Sequence, residues 1–101
     1  MAKLLQIDFP FQGPFGEAMS EALADLARSI ASEPGFVWKI WTESADRGEA
    51  GGIYLFEDAS SAEAYVAKHT ERLKGFGIDG IRARIFDVND ALTAINRGPV
   101  N

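Results

Sequence analysis

The chain contains no cysteine, and His69 is the only histidine among its 101 residues. Disulfide bonds and cysteine-ligated metals are therefore excluded, and a histidine-based metal site would have a single histidine ligand. No predicted helix places two carboxylates beside His69 on one face. We therefore predict no metal site.

Positive charge and long hydrophobic runs are also scarce. Ten Lys and Arg residues stand against fifteen Asp and Glu, for a net charge of -5. Without a basic cluster, neither nucleic acid nor an anionic membrane surface is an expected partner. The apolar residues near the N-terminus are interrupted by Gln6 and Asp8, which is unlike a signal peptide or a membrane span. We predict a cytoplasmic protein.

The composition is that of one globular domain over residues 1–101, with 47% hydrophobic and 25% charged residues. Motifs for phosphate binding and hydrolysis are missing. The glycines at Gly13 and Gly16 lack the rest of a dinucleotide or phosphate-binding loop. No Gly-x-Ser-x-Gly nucleophile elbow occurs either. We predict no cofactor.

The first third of the chain reads as a strand and a helix. Residues Lys3 to Phe11 alternate, with Leu5, Ile7, Phe9 and Phe11 pointing the same way. A breaker segment, 12–16, follows. Apolar residues then recur at helical spacing and predict an amphipathic helix that ends at Pro34-Gly35. The apolar stripe of this first helix is Met19, Leu23, Leu26 and Ile30.

The rest of the chain repeats the pattern after a hairpin. Phe36 to Thr42 predicts a second strand, residues 44–48 a turn, and Ile53 to Phe56 a third strand. The preceding Gly51-Gly52 pair indicates a bulge or a close backbone approach. Ser60 and Glu63 match a capping box that begins the second helix. Its predicted buried stripe is Ala62, Tyr65, Val66, His69 and Leu73. A fourth strand over Ile81–Val88 and a short helix over Ala91–Asn96 complete the chain.

This β-α-β-β-α-β order predicts an α+β, ferredoxin-like fold, with a four-stranded antiparallel sheet and two helices on one face. Large apolar residues occur on both sides of the sheet. Alternation puts Phe36, Trp38 and Ile40 on one side, and the other side has the set Val37, Trp41, Tyr54, Phe56, Phe86 and Val88. Because monomers seldom expose so large an apolar patch, we predict a homodimer through the sheet faces. Single exposed aromatics are the alternative.

His69 and Tyr65 are the candidate catalytic residues. A histidine facing the sheet loses solvation as a cation, so it tends to be neutral and could act as a general base. Tyr65, one turn earlier, could orient that base or donate to a developing oxyanion. The alternative is structural, with His69 bonded to a carbonyl in the core and Tyr65 filling space.

Two further groups of residues are candidates for ligand binding. Phe9 and Trp38 are predicted to form apolar walls near His69, although ordinary core packing would explain them equally. A second group shares the other alternation class and would lie on the opposite sheet face: Asp8, Lys39, Trp41, Tyr54, Arg82 and Arg84. Because a buried charge must be paired or hydrated, these residues predict either a water-filled cavity or ion pairs at a dimer interface. Lys39 with Glu43 and Arg84 with Asp8 are the expected pairs.

Several long segments closely resemble the YdhR-like putative monooxygenases. They include Gly13-Pro-Phe-Gly16, Glu33-Pro-Gly-Phe-Val-Trp38-Lys-Ile-Trp41, Gly51-Gly-Ile-Tyr54 and Lys68-His69-Thr. The resemblance runs almost end to end and implies membership of the dimeric α+β barrel group, whose members pair their sheets. Related members are cofactor-independent oxygenases of phenolic polyketides, lactone isomerases and haem-degrading enzymes. In several of them the ligand lies between sheet and helices.

The resemblance implies a cofactor-independent monooxygenase of aromatic compound metabolism. Its substrate would be a small phenol or hydroquinone that is deprotonated and reacts directly with O2, supplying the electrons itself. His69 would take the proton, and Tyr65 or Tyr54 would donate a hydrogen bond to the resulting anion. The expected substrate-binding residues are Trp38, Phe9, Tyr54, Trp41 and Arg84. The alternatives are a small-molecule isomerase, a haem-handling enzyme and a ligand-binding dimer without catalysis.

Overall fold

The computed structural model describes residues 1–100, which form four strands and three helices. Their bounds are β1 (Lys3–Pro10), α1 (Gly16–Ala31), β2 (Phe36–Ser44), β3 (Glu49–Phe56), α2 (Ala59–Gly75), β4 (Arg82–Asp87) and α3 (Asp90–Ile95). The antiparallel sheet has the order β2-β3-β1-β4. This confirms the predicted α+β, ferredoxin-like architecture.

The core lies between one face of the sheet and the helices α1 and α2, and we call this the helix-covered face. Leu5, Ile7 and Phe9 of β1 are buried there, as their alternation predicted. Both helices turn the expected stripes inward. From α1 these are Met19, Leu23, Leu26 and Ile30, and from α2 they are Ala62, Tyr65, Val66, His69 and Leu73. We call the opposite side the open face; it includes Leu4, Gln6 and Asp8 of β1.

The predicted faces of β2 are wrong because the strand contains a bulge. Phe36 pairs with Phe56 of β3, and Trp38 pairs with Leu55, the residue just before Phe56. A step of two residues along β2 thus matches a step of one along β3, so the register shifts between Phe36 and Trp38. An extra residue reverses the alternation on either side of it. As a result Phe36 shares the helix-covered face with Trp41, whereas Trp38 is on the open face.

The Gly51-Gly52 pair lies inside β3, which begins at Glu49 rather than at Ile53. The pairing of β3 with β1 runs through both glycines without a shift, so of the two predicted alternatives the close approach is the one observed. A Cβ atom at Gly51 would lie 2.0 Å from the backbone oxygen of Ile7. Only glycine allows the two strands to approach this closely.

The predicted capping box at the start of α2 is wrong. The helix begins at Ala59, and its N-cap is Asp58, whose carboxylate accepts a hydrogen bond from the Ser61 amide at 2.8 Å. Ser60 donates to the same carboxylate at 3.0 Å instead of capping the helix itself. Asp58 is as good an N-cap as serine, and it precedes the serine by two residues.

None of the helices within residues 1–100 has both the length and the apolar character needed to cross a bilayer.

Candidate active site

A mostly apolar cavity of about 350 Å³ opens between the sheet and the two long helices. The sheet contributes Phe9 and Trp41, α1 contributes Met19, Leu23 and Leu26, and α2 contributes His69 and Leu73. A concave apolar site with a few polar groups at one end is the usual form of a small-molecule site. The cavity therefore places Phe9, Trp41 and His69 together, as three of the residues singled out from sequence.

His69 is held by a neighbour one turn further along α2. Arg72 directs both its Nε and its Nη2 at the His69 Nδ1 atom, at 3.2 and 2.9 Å. A guanidinium can only donate hydrogen bonds, so Nδ1 must accept, and in the neutral ring the proton is then on Nε2. Burial, with the charges of Lys39 and Arg72, lowers the pKa of His69 to about 3. At neutral pH His69 is thus a neutral ring with an N–H to donate.

Two tyrosines extend this polar group into the core. The Tyr65 ring stacks on His69 with centroids 4.9 Å apart, and its hydroxyl donates to the Tyr54 hydroxyl at 3.2 Å. Burial raises the pKa of Tyr65 to about 12, and burial together with Tyr65 raises the pKa of Tyr54. Both hydroxyls therefore stay protonated at neutral pH, where they can donate but cannot take up a proton.

Lys39 also lies on the helix-covered face, opposite Tyr54 in the β2–β3 pairing. Its Nζ is 3.3 Å from the centroid of the Trp41 ring and 4.7 Å from that of Tyr54. Burial, followed by repulsion from Arg72, lowers the pKa of Lys39 to about 7. Near neutral pH a substantial share of the Lys39 amine is therefore neutral, whereas an exposed lysine is almost fully protonated there.

The charged groups next to His69, namely Lys39 and Arg72, are both cations, and no salt bridge to a carboxylate neutralises either of them within residues 1–100. His69 makes no salt bridge within these residues either. The predicted pair of Lys39 with Glu43 is wrong, since Glu43 accepts instead from the Gly16 amide at 2.7 Å. A site of this kind favours an anion or a group that becomes one.

The remaining predicted residues lie on the open face. The Trp38 Nε1 atom donates to the Pro99 carbonyl at 2.7 Å, so Trp38 is not a wall of the cavity beside His69. Arg84 pairs in register with Gln6 and is exposed. The carboxylate of Asp8 bonds to Arg82, not to Arg84 as predicted.

The open face has its own groove of about 240 Å³. Polar and charged side chains dominate its lining, among them Gln6, Asp8, Thr42, Arg47 and Glu49. Its acidic groups are partly neutralised, because Arg82 bonds to both Asp8 and Glu49. The groove is shallower and more polar than the cavity, so the cavity is the better candidate for an aromatic ligand.

Neither the helix-covered position of Lys39 nor the contact of Arg72 with His69 was predicted from the sequence. Lys39, Trp41 and Tyr54 share one face as predicted, but it is the helix-covered face and not the open face. The unforeseen bulge in β2 explains the error for Lys39 and Trp41, whereas for Tyr54 of β3 alternation alone does not say which face the helices cover. Arg72 was overlooked, although its spacing of three residues from His69 puts the two on one helix face. That spacing was the available signal.

Comparison with known proteins agrees with the architecture. The model of the family described as "Putative mono-oxygenase ydhR" matches residues 4–99. No curated protein matches the chain closely enough to count as a relative.

Several solved structures share the fold. SnoaB, a cofactor-independent oxygenase from Streptomyces nogalater, is 17% identical with a TM-score of 0.62, and the match covers 87% of this chain and 93% of SnoaB. The ActVA-Orf6 monooxygenase from Streptomyces coelicolor, in complex with Nanaomycin D, is 20% identical with a TM-score of 0.60, covering 87% and 88%. A putative antibiotic biosynthesis monooxygenase from Deinococcus radiodurans is 9% identical with a TM-score of 0.62, covering 86% and 92%. At these identities the likeness concerns the fold alone.

Proposed function

Since this chain belongs to the ydhR family of putative mono-oxygenases, we propose that it is a cofactor-independent monooxygenase of small phenols and hydroquinones. The observation that carries the proposal is the apolar cavity that has the neutral His69 ring in its lining, with the cations Lys39 and Arg72 next to that ring. A flat aromatic ring would lie against Phe9 and Trp41, with its oxygen toward His69. The fold that this chain shares with SnoaB, a cofactor-independent oxygenase, supports the same choice.

The proposed reaction begins with loss of the phenolic proton. The phenolate then gives electrons to O2, and a ring carbon loses its hydrogen and gains one oxygen atom as a carbonyl. The other oxygen atom leaves as water, with that hydrogen and the phenolic proton. All four electrons come from the substrate, so no external reductant is consumed. The apolar lining would keep water away from the reactive intermediate.

His69 serves in this proposal as a hydrogen-bond donor to the substrate oxygen. The sequence-based hypothesis made it the general base, but Arg72 occupies its Nδ1 atom and both neighbouring cations oppose a positive ring. Tyr65 would act by holding the ring of His69 through their stacking. Donation to the developing oxyanion is the kind of interaction that stabilises a transition state.

The test is oxygen uptake with a panel of phenols and hydroquinones, with isotopically labelled O2 to follow the incorporated atom. His69→Leu should lower kcat about a hundredfold, as loss of an oxyanion donor does. His69→Gln, which keeps an amide donor, should lose less. Glu71→Gln, an exposed change on α2, is the matched control.

Absence of labelled product with every phenol, despite binding in the cavity, would contradict the enzyme and favour a binding protein. Titration with haem, followed by the Soret absorption, tests the haem-handling alternative. A stable haem complex would identify the haem-handling alternative.

We also propose that the functional unit is a homodimer formed through the open faces. Ile40 and Phe86 on this face are 56% and 41% exposed, and a second copy would cover them. Trp38 and Arg84 would then belong to the interface. Sedimentation equilibrium should give a dimer that Ile40→Glu dissociates, and a monomeric wild-type protein would contradict the proposal. The cytoplasmic location stays a prediction.

A further inference from the structure

Lys39 lies next to the cavity without lining it, and its strand and a neighbouring glycine hold it there. Its amine lies directly on the ring of Trp41, and Trp41 and His69 both line the cavity. A Cβ atom at Gly52 would lie only 2.5 Å from the Lys39 Cε. Glycine at this place therefore makes room for the lysine stem across the sheet.

The groups that face Lys39 come from three sides and do not include a carboxylate partner. Tyr54 approaches from β3, while Arg72 and His69 approach from α2, where Tyr65 adds a neutral hydroxyl. The residues of α1 that line the cavity are apolar: Met19, Ala22, Leu23 and Leu26. Because no carboxylate within residues 1–100 forms a salt bridge with Lys39, the charged form of its amine is disfavoured. The neutral form can act as a base.

We propose, on the basis of the function proposed above, that Lys39 accepts the proton of a bound phenol and that the phenolate is held between Lys39 and Arg72. The O–H bond of the phenol breaks, its electron pair stays on oxygen, and a new N–H bond forms on the amine. Nothing is oxidised or reduced in this step. A neutral pair becomes an ion pair, and the phenolate supplies the negative charge that Lys39 and Arg72 lack as a partner.

Lys39 takes this role in preference to His69 for a geometric reason. The imidazole would have to give up its bond from Arg72 before Nδ1 could accept a proton. The lysine amine makes no salt bridge within residues 1–100, so it has no bond of this kind to give up. The proposal requires its terminal bonds to rotate so that the amine reaches a phenol bound in the cavity. His69 then donates to the same oxygen that Lys39 has deprotonated.

The experiment uses 4-nitrophenol, whose phenolate is coloured and whose neutral form is not. The wild-type protein is mixed with it at a pH below the ligand's own pKa, where the free ligand is mostly neutral. The phenolate band should appear on binding, while calorimetry measures the affinity. Lys39→Met should bind without the band, and Lys39→Gln serves if the first variant fails to fold. Lys74→Met, an exposed lysine at the end of α2, should keep the band.

Wild-type binding without the phenolate band would overturn the proposal and leave the cavity as a ligand site. A band that persists in Lys39→Met would overturn it as well, and absence of any binding would contradict the ligand class. The experiment distinguishes failure of Lys39 as the base from failure of the proposed monooxygenase function. A phenolate band without oxygen uptake on any phenol would support Lys39 as the base and reject the monooxygenase.

Discussion

The two faces of the sheet differ in whether their cationic side chains are exposed and paired with carboxylates. On the open face Arg82 is exposed and bonds to both Asp8 and Glu49. On the helix-covered face Lys39 and Arg72 are partly buried and make no salt bridge in residues 1–100. Charge that is buried without a partner costs stability, whereas exposed pairs contribute little either way. A protein retains the first arrangement where a ligand completes it.

The largest expected effect concerns the sheet that separates the two faces. Gly51→Ala would place a Cβ atom 2.0 Å from the Ile7 backbone oxygen, so β1 and β3 must separate. We expect a loss of about 4 kcal/mol or more in the free energy of unfolding. Urea denaturation measures it. Gly75→Ala, with open space around it, is the control, and equal stability of the two variants would contradict the close approach.

The next prediction concerns the pH dependence of stability on the helix-covered face. The pKa of His69 is lowered from 6.5 to about 3, so between these values the unfolded chain binds more protons than the folded one. The free energy of unfolding contributed by His69 therefore falls as the pH drops from 6.5 to 3. In thermal melts His69→Gln should gain stability relative to wild type over this window, with a constant difference above it. If the melting temperatures of wild type and His69→Gln changed in parallel between pH 6.5 and 3, the His69 ring would not be held neutral in the folded protein.

A smaller effect is expected from the buried hydroxyl pair. Tyr65→Phe leaves the Tyr54 hydroxyl, in a side chain only 1% exposed, without its partner. The expected loss is about 1 kcal/mol in the free energy of unfolding, measured in urea. The double variant with Tyr54→Phe should recover part of it, because neither polar atom is then left alone. A double variant less stable than Tyr65→Phe would contradict this interpretation.

The smallest effect is expected on the open face. Arg82→Gln removes both ion pairs to Asp8 and Glu49, but these groups are in contact with water and screened. The melting temperature should hardly change, and the small difference should shrink further in high salt. A large, salt-independent loss would mean that the two faces do not differ as described.

Much of the fold was predictable because its elements follow local rules. The alternation of β1 and the stripes of both long helices were predicted correctly, since each depends on neighbours within one segment. The start of α2 was predicted less well, because an aspartate and a serine both make suitable caps. The start of β3 was predicted too late, because the Gly51-Gly52 pair was predicted to precede the strand and lies inside it. Of the candidate ligand-binding residues, Phe9 lies beside His69 as predicted, Trp41 joins them although it was predicted on the opposite face, and Trp38 is absent from the cavity.

The sequence by itself determined the order of the elements, the buried faces of the helices and the inward position of His69, because hydrophobic spacing records which side of each element avoids water. The tertiary structure decided which face of the sheet β2 gives to the cavity. One extra residue between Phe36 and Trp38 puts Lys39 and Trp41 on the helix-covered face with His69 and puts Trp38 on the open face. A bulge depends on pairing with a distant strand, and the lowered pKa of Lys39 depends on how that pairing buries it beside Arg72.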